Sequence, residues 1–295
     1  MSTAPNQINS SKKLKGRGQW EEVWRRFKKN KIALIGVVIL ILFILIAIFA
    51  DKLAPFGFDD QDISNSLLPP SSKYWFGTDN LGRDILSRVI YGSRISLSIG
   101  IISTLISAIG GIILGIVAGY FGGKIDNLIM RIMDVFMAIP GVLLAIAIAA
   151  ALGPGIRNAM IAIGFGALPG FTRVIRSSVL SIKGSQFIEA AIATNASTFR
   201  ILSKYIFPNV LAPILVQTTM QVAFAILQAT TLSFLGLGVQ PPTPEWGSMI
   251  SSGRSFLRDY AYISNFPGIA IMITVFALNL VGDGLRDALD PRLKN

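Results

Sequence analysis

Residues 95–123 read ISLSIGIISTLISAIGGIILGIVAGYFGG, and none of these 29 positions carries a charge. Two further runs share the property: IALIGVVILILFILIAIFA at 32–50, and the segment from Tyr205 to Pro244. A hydrocarbon core about 30 Å thick is crossed by roughly 20 apolar residues wound as helix. No water is available there to pair with backbone N–H and C=O groups, so a crossing segment must pair its own, as a helix does. These runs predict an all-α, polytopic membrane protein, although 295 residues alone would fit one or two soluble domains.

The composition narrows the chemistry. Hydrophobic residues make up 52% of the chain and charged ones 15%, and the mean hydropathy is +0.60. There is no Cys and no His, which excludes disulfides, Cys/His metal sites, Ser-His or Cys-His catalysis and histidine pH switching. No metal or cofactor site is expected in the chain. The net charge of +11 does not imply nucleic acid, because the basic residues are scattered among apolar spans. Nine of them form one block before the first span: Lys12, Lys13, Lys15, Arg17, Arg25, Arg26, Lys28, Lys29 and Lys31. Such a block against a membrane helix reads as an orientation signal. The run 32–50 is too long for a signal-peptide core and lacks an A-x-A cleavage site, so it reads as a retained span.

Six spans are expected, near 32–50, 96–120, 128–152, 158–180, 210–235 and 264–282. With the N-terminus inside, nineteen of the 27 Lys and Arg residues fall on inner segments and eight on outer ones, which puts both termini in the cytoplasm. The division is a basic N-terminal segment (1–31), a first helix (32–50), an outer loop (51–95), a five-helix core (96–283) with a cytoplasmic loop at 181–208, and a cytoplasmic tail (284–295). In the outer loop, Ile85, Leu86, Val89 and Ile90 share a face apart from Arg83, Arg88 and Arg94, the pattern of an interfacial amphipathic helix. The outer stretch VQPPTPEWGS (239–248) cannot be regular helix, and its Trp246 fits an interface anchor.

Between the fourth and fifth spans lies SQFIEAAIATNASTFRILSKYIF (185–207). Residues 185–194 are good helix formers. Asn195 tolerates the left-handed backbone that ends a helix, and Ser197 is a strong N-cap for the next one. Pro208 marks the following break. The segment reads as helix, tight corner, helix. By pattern alone an amphipathic connector is the plainer reading, since capping signals are common.

Elsewhere, Asp134 is the one acidic residue inside a span. It lies one turn from Arg131, which favours a structural ion pair of these two, or an interface position, over a proton relay. GFGALPG (164–170) interrupts the fourth span, and fits either a pathway lining or close helix packing. Gly111, Gly115 and Gly119 at four-residue spacing read as a packing seam. Asp283, Asp287 and Asp290 share a helical face without calcium-loop spacing, the mark of a solvated helix.

Glu189-Ala190-Ala191, a turn residue six positions after the Glu and Pro208 nineteen after it resemble the EAA loop of bacterial ABC-importer permeases. WRRFKKNKIALIG (24–36), FGTDNLGRDILSRVIYGSRISL (76–97), FLGLGVQPPTPEWGSMI (234–250) and GDGLRDALDPR (282–292) resemble the C-type permease subunit of dipeptide/oligopeptide/nickel importers. The resemblance covers nearly the whole chain. It departs at Asn195, where the family usually has Gly.

The resemblance implies a type I ABC-importer permease fold in the bacterial inner membrane. It implies pairing with a homologous permease subunit, two cytoplasmic ATP-binding subunits that use ATP and Mg, and an extracellular solute-binding protein. The loop would be a coupling helix docked on an ATPase. Glu189 would pair with a basic group there, Ala190 and Ala191 would allow close packing, Asn195 would set the corner, and Ser197 and Pro208 would bound the second helix. The solute would be a short peptide, with nickel or another small solute as the alternative. The chain itself has no G-x-x-x-x-G-K-[ST]; its nearest string, YFGGKID (120–126), lacks the spaced Gly and the Ser/Thr. A stand-alone secondary transporter is disfavoured by the absence of a visible repeat, and an intramembrane aspartyl enzyme by the single candidate acid.

Overall fold

The computed structural model describes residues 19–289. Lys12, Lys13, Lys15, Arg17, Asp290, Arg292 and Lys294 lie outside them. The regular elements among the described residues are helical: α1 (Gln19–Lys29), α2 (Lys31–Ile48), α3 (Ala50–Leu53), α4 (Ile85–Phe121), α5 (Gly123–Met137), α6 (Gly141–Leu152), α7 (Ile156–Lys183), α8 (Gln186–Ala193), α9 (Thr198–Arg200), α10 (Phe207–Phe234), α11 (Trp246–Gly253) and α12 (Tyr262–Leu289). Five stretches are long and apolar enough to cross a bilayer: α2, α4, α7, the run Thr198–Phe234 that includes α10, and α12. The third expected span is not one helix. Its halves, α5 and α6, meet at 86° across residues 138–140, where Pro140 cannot continue the ladder of α5.

Helix ends follow local chemistry. Asn30 turns the chain between α1 and α2, its side chain accepting the Ala33 N–H at 3.1 Å. Asp84 caps α4 by accepting the Ser87 N–H at 2.7 Å. Without a hydrophobic drive between helices in lipid, close packing by small residues brings them together. Gly111, Gly115 and Gly119 of α4 face Phe171, Ile175 and Val179 of α7. A Cβ at Gly115 or Gly119 would lie 2.8 and 2.7 Å from the Ile175 and Val179 Cβ atoms, and one at Gly111 would overlap Phe171. This is the packing seam the spacing predicts. Helix α2 packs on α12 in the same way, with Ala33 against Gly284 and Gly36 against the Ala277 carbonyl.

Several local expectations change. The apolar face at 85–90 does feed the second span, as the first turns of α4 itself, which at 37 residues extends beyond any bilayer core. Arg83 and Arg88 are buried there rather than at a surface. The Arg83 Nε donates to Asp79 at 2.7 Å, and an Arg88 Nη donates to the Phe58 carbonyl at 2.8 Å and to Pro242 at 3.4 Å, tying the first loop to the 235–245 loop. Trp246 is fully buried, not an interface anchor. Its Nε1–H donates to the Val89 carbonyl at 3.0 Å and its ring meets Phe43 edge-on. Residues 164–170 run unbroken inside α7, with Gly164 so close to Ile106 that an added Cβ would lie 2.8 Å from the Ile106 Cβ, and with Gly166 beside Gly141. Helix α12 continues past residue 283 to Leu289, carrying Asp283 and Asp287 on its last turns.

Candidate functional site: an exposed helical corner and an amide-lined cavity

The corner after α7 folds as the sequence predicts, though the break expected at Pro208 does not occur. In α8 the Asn195 N–H donates to the Ile192 carbonyl at 2.9 Å and the Ala196 N–H to the Ala191 carbonyl at 3.0 Å. These paired 5→2 and 6→1 bonds define a Schellman motif, with Asn195 at its left-handed position, φ +57°. Ser197 then caps α9, its Oγ accepting the Arg200 N–H at 3.4 Å. Pro208 does not break the chain into a new helix. Residues 201–206 widen into π-helical turns, with the Phe207 N–H reaching Leu202 five residues back, and α10 follows without a gap. A wider turn accommodates Pro208, which has no N–H to give.

The two alanines part company. Ile188 and Ala191 are buried with Val179, Ile201 and Ile206 in a core that holds the hairpin to the end of α7. Ala191 therefore packs inward, not toward a partner. Glu189, Ala190, Asn195 and Ser197 are exposed, and Phe199 is 81% exposed. The Glu189 carboxylate has no hydrogen-bond or ion-pair partner among the described residues.

Asp134 corrects the sequence reading. Its partner is not Arg131 one turn away but Arg173 of α7, at 2.8 Å. Asp126, two turns earlier, takes a bidentate pair from Arg176 at 2.5 and 2.7 Å. Both acids face α7 because α5 lies against its C-terminal half, the half that leads into the hairpin.

Past the end of α5, the 138–140 break opens a cavity of about 250 Å³ between α5, α6, α7 and α10. Its α7 wall is Gly166, Ala167, Pro169 and Gly170, and its α10 wall is Gln217, Gln221, Phe224 and Gln228. The four α10 positions recur at helical spacing on one face. No lining residue is charged. Gln221 and Gln228 are 9% and 6% exposed, yet none of the three glutamines hydrogen-bonds to another described residue. Neutral amides leave a charge-free run intact, so the charge pattern of the sequence does not mark them. Three Gln at i, i+4 and i+11 within a predicted span were the available signal. No group of three or more acidic residues that could hold a metal ion occurs among the described residues.

The described residues thus form a helical bundle with a broken third crossing, an exposed helical corner and an uncharged cavity carrying three amides. Residues 111–295 match the family described as binding-protein-dependent transport system inner membrane component, and the chain belongs to that family. It is thus a multi-pass inner-membrane component of a bacterial transport system, not an enzyme. Residues 18–70 also match the N-terminal TM domain of oligopeptide transport permease C. The dipeptide transport system permease protein DppC of Alkalihalophilus pseudofirmus is 46% identical over 295 residues, covering 100% of this chain and 97% of its own. The di/tripeptide transport system permease protein DppC of Pseudomonas aeruginosa is 45% identical over 93% of both chains. The glutathione transport system permease protein GsiD of Escherichia coli is 46% identical over 94% of this chain and 92% of its own. Among solved structures, an inward-facing MetNI methionine ABC transporter chain superposes with a TM-score of 0.58 over 70% of this chain and 98% of its own, at 18% identity, and shares the fold.

Proposed function

We propose that the chain is the permease subunit of an ATP-driven importer for short peptides. The observation that carries this is similarity along the whole chain to permeases named for dipeptides, di- and tripeptides and glutathione, itself a tripeptide. Both termini face the cytoplasm in this reading. A homologous permease forms the other wall of the pathway, an extracellular binding protein delivers the solute, and two cytoplasmic ATPases supply the energy.

The exposed corner couples to one of those ATPases. Glu189 has a free carboxylate for a basic group of the partner, and Phe199 offers an apolar contact beside it. Asn195 fixes the angle between the two short helices. Ala191 contributes from within, by letting α8 lie close to Ile201 and Ile206. ATP-driven movement of the docked corner shifts the pathway between its two openings. ATP and Mg are bound by the partners.

The test is reconstitution. The chain purified with its neighbouring subunits should co-elute with an ATPase and import dialanine only when the binding protein and ATP are present. Dialanine uptake by the chain alone would overturn the reading, as would an assembled complex that imports no short peptide.

A further inference from the structure

The cavity at the α5–α6 break has a chemistry of its own. Its donors and acceptors are neutral: the amides of Gln217, Gln221 and Gln228, each able to donate two hydrogen bonds and accept two. Gln221 and Gln228 are more than nine-tenths buried as residues and make no hydrogen bond to another described residue, yet their amide atoms are not sealed off and open onto the cavity. An amide that faces a cavity without a protein partner is free to pair with what enters it. The opposite wall is the start of α6. Pro140 precedes it, no side chain caps it, and the first-turn N–H groups of Gly141, Val142 and Leu143 have no acceptor inside the helix. A free helix N-terminus carries a partial positive charge and favours an anion. Gly141 and Gly166 face each other there and keep the wall low.

We propose that this cavity reads the main chain of a passing peptide: the Gln217, Gln221 and Gln228 amides pair with peptide N–H and C=O groups, and the uncapped start of α6 faces the C-terminal carboxylate. The inference rests on the peptide-import reading above. It adds how the permease admits many sequences. Main-chain groups are common to all short peptides, and a lining without charge neither holds nor repels a particular side chain. A cavity of about 250 Å³ sits below the range of about 300–1,000 Å³ common for drug-sized ligands, which suits an extended main chain rather than a bulky, folded solute.

The experiment uses the complete importer in proteoliposomes, with its binding protein and ATP, and radiolabelled dialanine and lysyl-alanine as probes. Gln221→Leu and Gln228→Leu keep side-chain bulk and suit a membrane helix. Each should lower dialanine uptake at low concentration about tenfold, the effect of one lost amide pairing. Complex assembly and ATP hydrolysis stimulated by the binding protein should stay within about twofold, as expected for a group that meets only the solute. Gln221→Glu keeps the shape and adds a carboxylate. It should raise the lysyl-alanine to dialanine uptake ratio about tenfold, a change that a purely structural glutamine would not cause. Unchanged dialanine uptake in both Leu variants, or an unchanged ratio in Gln221→Glu, overturns the assignment while leaving the importer reading intact. A wild-type complex that imports neither peptide overturns both.

Discussion

Asn195→Val tests the corner directly. At φ +57° an L-residue costs roughly 1–2 kcal/mol relative to right-handed backbone, least for Asn and Gly and most for a β-branched side chain. Against that cost the corner is held by two backbone bonds, Asn195 to Ile192 and Ala196 to Ala191, and by the buried Ile188. Fully burying an Ile side chain contributes about 1.5–3 kcal/mol. Helix α8 has only eight residues and cannot stand without this anchoring. Valine strain of about 1–3 kcal/mol therefore removes much of the local margin, and about 1.4 kcal/mol is already tenfold in the open population. Hydrogen exchange on the purified importer should show the amides of 190–200 exchanging about 5- to 150-fold faster in Asn195→Val, with α4 and α7 unchanged. ATP-dependent uptake should fall while the chain still inserts. Asn195→Gly should match the wild type within a few tenths of a kcal/mol, since Gly adopts this backbone freely. Wild-type protection and full uptake in Asn195→Val would show that residue 195 is not left-handed and that the corner has another shape.

Three further outcomes are expected. Gly111→Ala puts a Cβ onto Phe171 and should cost about 1–3 kcal/mol, read as a lower Tm in detergent; Gly170→Ala, with nothing within 4 Å of the added carbon, should not. Glu245 is 1% exposed and accepts from the Gly247 and Ser248 N–H groups and from Ser96 and Ser233, so Glu245→Ala should lower Tm sharply, by about 3 kcal/mol or more, and Glu245→Gln by less; equal Tm values would deny the buried network. The Asp62 carboxyl is held below its ordinary pKa by hydrogen bonds from the Ser64 and Asn65 side chains. Its contribution to the 62–65 turn is present above the ordinary carboxylate value and lost as pH falls through the lower folded one, so NMR should show the Ser64 and Asn65 signals shifting only at that more acidic pH.

What was legible in the sequence was what local physics decides. Apolar runs in lipid have one backbone solution, so α2, α4 and the helix after Tyr205 were readable by length and charge alone. The corner was readable because Asn195 and Ser197 act on backbone groups within three residues of themselves. Other features depend on partners far along the chain. Arg173 is 39 residues from Asp134, so spacing could offer only Arg131. Trp246 bonds Val89 across 157 residues, and without that partner an indole near a span reads as an interface anchor. Gly164 reads as a breaker alone, but against Ile106 it is what lets α7 pack closely on α4. The break at Pro140 was visible as a residue and invisible as an angle, since an apolar run averages over a bend.

These long-range contacts make the corner and the cavity one mechanical unit. The hairpin is the connection between two helices that both line the cavity: α7 contributes Pro169 and Gly170, and α10 contributes Gln217. From Gly170 to Lys183 is about 20 Å of continuous helix at about 1.5 Å per residue, stiff enough to carry a push along its axis. The ion pairs of Arg173 and Arg176 lie on that stretch and bind α5 to it, so displacing the lower half of α7 also bears on the α5–α6 break. On the other arm, the π-helical turns at 201–206 and Pro213, which has no N–H for the ladder, lie between corner and cavity. In the importer reading, a force on Glu189 and the corner would be divided between α7 and an arm with built-in irregularities. Such a division would move the glutamine face of α10 and the glycine wall of α7 unequally, instead of sliding both together.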